Sequence, residues 1–147
     1  MEFTGERLVP TVEGFDDLFL EHVSRYIFAS PLVRDMIVLD AGCGAGYGSY
    51  HMHRAGAKTV VGIDISGEAI GYCRNNYLDK GITFEERSVL DTQFQSRSFD
   101  AITSFEVFEH LNDPDKYLAE MRRILKPNGL FLVSTPNVNT YTAGGED

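Results

Sequence analysis

The sequence predicts an α/β protein, a doubly wound parallel sheet with helices on both faces. Short, nearly continuous apolar runs alternate with amphipathic stretches, and several of the runs close on an acid. Strands of that kind are buried on both sides, which is the property of a parallel sheet covered by crossover helices.

Each element has a local reason. Residues 1–14 carry Thr4-Gly5-Glu6-Arg7 and Pro10 without periodicity, so an extended arm is expected there. From 15 to 33, Leu18, Phe19, His22, Val23, Tyr26, Ile27 and Ala29 recur at three and four, predicting a helix that lays one stripe on the sheet. Strand one is read at 36–39, a helix at about 46–55 and strand two at 59–63. Ser66 caps the next helix, with Glu68 near its positive end. Strand three follows at 82–89 and strand four at 101–104. An amphipathic helix at 114–125 runs through Tyr117, Leu118, Met121 and Leu125, and strand five is read at 130–133. Residues 15–147 are thus one domain.

Composition narrows the function. A chain of 147 residues with 22 acids against 13 bases has a net charge of -9, which disfavours nucleic acid as partner because each phosphate contact wants a cation. Cys43 and Cys73 are not spaced as metal ligands, and no signal peptide or membrane span is visible, so a cytoplasmic location is expected. Cys43 is read as a small apolar filler beneath a loop.

The segment Val38-Leu39-Asp40-Ala41-Gly42-Cys43-Gly44-Ala45-Gly46-Tyr47-Gly48 joins a strand to glycines at every second position, and Asp64 closes the next strand. Two neighbouring strands ending in acids read as a nucleoside cleft. A nicotinamide dinucleotide is disfavoured: its third fingerprint glycine would fall at Tyr47, and Asp40 would repel a pyrophosphate at a helix start. A cationic ligand suits the acid better. The pattern D-x-G-x-G-x-G followed by an acid resembles motif I and the second acidic position of class I S-adenosylmethionine-dependent methyltransferases. Ser88-Val89-Leu90-Asp91, Ser98-Phe99-Asp100 and Leu125-Lys126-Pro127-Asn128-Gly129 continue the likeness in order, over residues 36 to about 137.

The resemblance implies a Rossmann-like sheet of order 3-2-1-4-5 and S-adenosylmethionine as donor, with S-adenosylhomocysteine as product. It implies that Asp40, Gly42, Gly44 and Gly46 hold the methionine end. Asp64 would take the ribose hydroxyls with Ile65 beside it, Leu90 and Asp91 would meet the adenine, and Phe105 would flank the sulfonium. From the opening of the chain, Arg7 or Arg25 would pair with the donor carboxylate and Tyr26 would hydrogen-bond it. The chain stops short of the family's usual final antiparallel hairpin, so truncation is expected, or a second chain covering the strand-five edge as a dimer.

Glu106-Val107-Phe108-Glu109-His110, read as a first helical turn, would set Glu106, Glu109 and His110 on one face. This resembles the E-x-x-E-H stretch of metal-assisted O-methyltransferases, which include small-RNA 2'-O-methyltransferases and the ubiquinone-pathway enzymes. The favoured alternative is that Glu109 and His110 brace the helix without metal, leaving His110 and Glu106 as catalytic candidates. The expected function is methyl transfer to oxygen or nitrogen of a small molecule, sugar or glycan. The alternative is a donor-binding module or inactive fragment.

Overall fold

The computed structural model describes residues 17–135. In chain order these form α1 (Asp17–Ala29), β1 (Ile37–Ala41), α2 (Tyr47–Arg54), β2 (Thr59–Asp64), α3 (Gly67–Asn76), β3 (Ile82–Glu86), β4 (Phe99–Phe105), α4 (Pro114–Ile124) and β5 (Leu125–Ser134). All strand pairs are parallel, in the expected order β3-β2-β1-β4-β5. The arm at 1–14, with Arg7, lies outside the described residues, as do residues 140–147.

Burial on both faces explains the unbroken apolar strands. Val38 joins Tyr26, Met52 and Cys73 in one core, while its neighbours Leu39 and Ala41 join Tyr117, Met121 and Ile124 in the other. Successive side chains of β1 therefore feed opposite cores, as the pleat requires.

Several boundaries differ from the sequence expectation. α1 ends at Ala29, and a 3-10 turn with Pro31 in its first positions, Ser30–Val33, takes over. β3 stops at Glu86, because residues 88–91 fold back in a tight turn in which Asp91 N donates to Ser88 O at 3.2 Å. β5 begins at Leu125, which pairs with Phe99; residues 126–129 then leave the ladder before Leu130 pairs with Ala101. Asn128 at φ 66 makes that bulge. The Ser66 cap falls as expected, its Oγ accepting from Ala69 N at 3.2 Å, and the structure adds Asp113 as the cap of α4, with Pro114 following it. No helix among the described residues is long and apolar enough to cross a membrane.

Candidate functional site

A cavity of about 310 Å³ opens where β1, β2 and β4 end. Its floor is the glycine turn after β1. Gly42, Gly44 and Gly46 stand at φ 82, 56 and 91, a region that side chains avoid. Space is equally restrictive: a Cβ on Gly42 would lie 2.3 Å from Val107 Cγ2. The amides of Gly42 and Cys43 both donate to Ile63 O at 2.8 Å, which binds the turn to β2. Gly46 is buried under the turn and does not line the cavity.

Asp64 ends β2 at the cavity wall. Its Oδ2 accepts from Gly44 N at 3.0 Å and its Oδ1 from Ser66 N at 2.9 Å, so the carboxylate is fixed in place while each oxygen keeps further acceptor capacity.

Asp40 stands elsewhere than the sequence suggested. It is fully buried beneath the turn and accepts from Ser49 Oγ at 2.6 Å, Thr103 Oγ1 at 2.9 Å and the Tyr26 hydroxyl at 3.1 Å. Desolvation pushes its carboxyl up to about 6, against the pull of those three donors. Asp40 thus ties β1 to α1, α2 and β4 and supports the cavity from below. Tyr26 shares that correction, because its hydroxyl serves Asp40 and its ring is buried.

On the far wall, Ile65 is 74 % exposed, and Val89 and Leu90 line the cavity beside it. The Leu90 amide donates to Ser88 Oγ at 3.1 Å. Asp91 is exposed, accepts from Gln93 Nε2 at 2.7 Å and does not reach the cavity. Arg87, passed over in the sequence, secures this wall: it donates to Thr92 O at 2.7 Å, pairs with Glu85 at 2.6 Å and stacks 4.5 Å from the Phe94 ring centroid.

Residues 39–133 match the methyltransferase domain family. The chain belongs to the class I S-adenosylmethionine-dependent methyltransferases. It is 31% identical over 144 residues to a probable S-adenosylmethionine-dependent methyltransferase of Mycobacterium tuberculosis, spanning 98% of this chain and 52% of that protein. It is 38% identical over 105 residues to a ubiquinone biosynthesis O-methyltransferase of Paraburkholderia phymatum, spanning 69% of this chain and 45% of that one. Among solved structures, an S-adenosylmethionine dependent methyltransferase from Mesorhizobium loti superposes with TM-score 0.69 at 28% identity, over 76% of this chain and 51% of that one. A Haloferax volcanii putative methyltransferase, in complex with its Trm112 activator, gives TM-score 0.70 at 28% identity over 76% and 50%. The chain spans about half the length of the curated relatives it matches.

In this methyltransferase chain the stretch after β4 departs from the predicted helical turn. Glu106 has φ 60, and the only helical turn there is the three-residue 3-10 segment Phe108–His110. Glu106, Glu109 and His110 therefore do not share a face. Glu106 faces Arg25 at 3.7 Å and accepts from Ser134 Oγ at 3.3 Å, whereas Glu109 lies 3.6 Å from His110. Among the described residues no group of three His, Cys, Asp or Glu is placed to hold a metal ion. Glu106 and His110 line the cavity, and so does Phe105.

Two further lining residues have no donor contact implied by the resemblance. His22 of α1 and Tyr47 of α2 meet at the cavity, where the Tyr47 hydroxyl hydrogen-bonds His22 Nδ1. Burial, then the charge of Arg25, pushes His22 down to about 4, so it is neutral at ordinary pH. Nothing local marks the pair, because their meeting depends on how α1 crosses α2.

Proposed function

We propose that this chain carries the donor-binding and transfer site of an S-adenosylmethionine-dependent methyltransferase acting on an oxygen or nitrogen of a small molecule, sugar or glycan. The observation that carries this reading is the fixed Asp64 carboxylate beside a bare-backbone turn, with the buried Asp40 cluster holding both strands beneath. The donor, when bound, supplies a methyl group already activated by its sulfonium.

The residues present suit that donor. Asp64 accepts the ribose hydroxyls, and the apolar Ile65 and Leu90 flank the base, whereas Asp91 is assigned to the base by resemblance alone. Gly42 and Gly44 let the methionine end approach the backbone, and Phe105 stands by the sulfonium. The neutral His22–Tyr47 pair offers that cation a polar wall without a repelling charge. His110 and Glu106 take the acceptor side, where positioning carries most of the catalysis. Arg7 remains assigned to the donor carboxylate by resemblance alone.

Asp64→Ala should weaken S-adenosylhomocysteine binding by about 1.5–3 kcal/mol, roughly ten- to a hundredfold, as hydrogen bonds to a charged group are lost. Calorimetry on wild type and variant measures this, and equal affinities would remove Asp64 from the donor site.

A second reading, a donor-binding module inactive by itself, is supported by the outer edge of β5, which has no strand neighbour among the described residues. That edge is the proposed dimer contact. The Haloferax relative's activator makes a protein partner the other option. A radiolabelled methyl-transfer screen over sugars, phenols and amines separates the readings: donor binding with no transfer favours the module. The net charge of -9 supports a non-nucleic-acid acceptor, and the two free, buried cysteines support a reducing cytoplasmic setting.

A further inference from the structure

A second cavity, of about 420 Å³, lies against the first and shares Phe105 with it. Its walls are Ser24, Arg25 and Phe28 of α1 and residues 131–134 at the end of β5. Phe28 is 66 % exposed and Val133 46 %, so the cleft offers apolar surface to whatever enters it.

Among the described residues Arg25 is the one cation on these walls. Its Nη1 donates to Glu21 O at 2.9 Å, and its Nη2 lies 3.7 Å from Glu106 Oε1, beyond the length of a charge-assisted hydrogen bond. A guanidinium has five donors, and a carboxylate can take two of them in parallel, so toward the described residues Arg25 retains unspent capacity. Glu106, meanwhile, stands on left-handed backbone at φ 60, held there by its amide donating to Ser134 O at 3.1 Å. Such a conformation is costly for a side chain and collects at functional positions. Glu106 lines the first cavity, while Arg25 and Ser134 line the second, so this loose ion pair sits on the boundary between them.

We propose that the second cavity is the acceptor site and that it selects molecules carrying a carboxylate on a flat apolar body. The acceptor carboxylate takes the donors of Arg25 that Glu106 leaves unused, displacing the long contact, and Glu106 keeps Ser134 Oγ as its partner. The apolar body lies against Phe28 and Val133, with its far end toward Phe105 and the first cavity. A neutral sugar would leave both the aromatic wall and the guanidinium unmatched. A cationic amine would meet Arg25 head on.

The identification of this ligand as acceptor rests on the methyl-transfer reading, but its binding is measured separately. The chain is titrated with 4-hydroxycinnamate and with the neutral amide of the same acid, with and without saturating S-adenosylhomocysteine, while backbone amide signals are followed by nuclear magnetic resonance. The acid should shift the signals of Arg25, Phe28 and Val133 and bind about tenfold tighter than the amide. Arg25→Gln should erase that preference with the fold intact by circular dichroism. Glu106→Gln should strengthen acid binding about two- to fivefold by removing the competing carboxylate, an effect that a merely structural role would not produce. Equal affinities for acid and amide, a preference that survives Arg25→Gln, or weaker acid binding in Glu106→Gln would overturn the assignment. So would silence with both probes, which would mean that polypeptide fills the cleft. Failure of S-adenosylhomocysteine to bind the wild type strikes the methyltransferase reading instead, since the titrations without it still report on Arg25.

Discussion

Asp40 and His22 are displaced from their usual titration ranges in opposite directions. Desolvation raises Asp40 from 3.8 to about 6 despite three hydroxyl donors, and burial lowers His22 from 6.5 to about 4. The folded state holds the Asp40 proton more tightly than the unfolded chain does. Its contribution to stability is therefore full below pH 3.8 and is lost as pH rises toward 6. For His22 the sign reverses: its contribution is full above 6.5 and is lost as pH falls toward 4. Each displacement is worth about 3 kcal/mol, so between pH 4 and 6 the two nearly offset. Removing either group should uncover the slope of the other. Relative to wild type, Asp40→Asn should gain stability as pH rises from 4 to 6.5, and His22→Gln should lose it, each by about 2–3 kcal/mol. The comparison with wild type cancels groups such as Glu120, held down to about 2 by Arg123 and by Thr92. Urea denaturation at three pH values reads this directly, and slopes of the same sign in both variants would contradict it.

Between elements, the contact of α1 with α2 decides where His22 and Tyr47 stand, and Gly48 decides that contact. A Cβ at Gly48 would come within 2.3 Å of Tyr26 Cζ. The ring has little freedom to retreat, since its hydroxyl is on Asp40 and Phe105 packs edge-on at 5.0 Å. Helix propensity alone would make Gly48→Ala stabilising by about 1 kcal/mol. Overpacking against a pinned ring costs about 1–3 kcal/mol, and a contact this short belongs at the upper end, so a net loss of about 1–2 kcal/mol is expected. Thermal unfolding checks the sign, and a rise in midpoint would mean that α1 yields. The same distinction separates what the chain shows from what it conceals. The strands, the Ser66 and Asp113 caps, the glycine turn and Asp64 are written in adjacent residues and could be read from them. The turn at Phe108–His110 could not, because the left-handed Glu106 is held by Arg25 and Ser134 from distant parts of the chain. The burial of Asp40 was equally hidden, since Tyr26, Ser49 and Thr103 reach it from three separate elements.

For the molecule as a whole, edge pairing and charge act against each other. Along β5, residues 126–129 leave the ladder and include Lys126 and Pro127, which blunt that half of the edge. Leu130, Phe131, Leu132 and the exposed Val133 form the other half, and among the described residues no strand pairs with their outer side. Two such edges attract through backbone hydrogen bonds and apolar contact, yet each chain carries a net charge of -9. At 0.1 M salt the repulsion reaches about 10 Å, and at 1 M only about 3 Å. The chain should therefore be monomeric at low salt and shift toward dimer as salt rises. Val133→Lys distinguishes the two forces. It reduces the net negative charge slightly, which alone would favour association, but it places a solvated cation on the pairing edge, which opposes it. If the edge makes the contact, the variant should stay monomeric at salt concentrations that dimerise the wild type. Sedimentation equilibrium across a salt series measures both masses, and a variant that associates as readily as the wild type would move the contact away from β5.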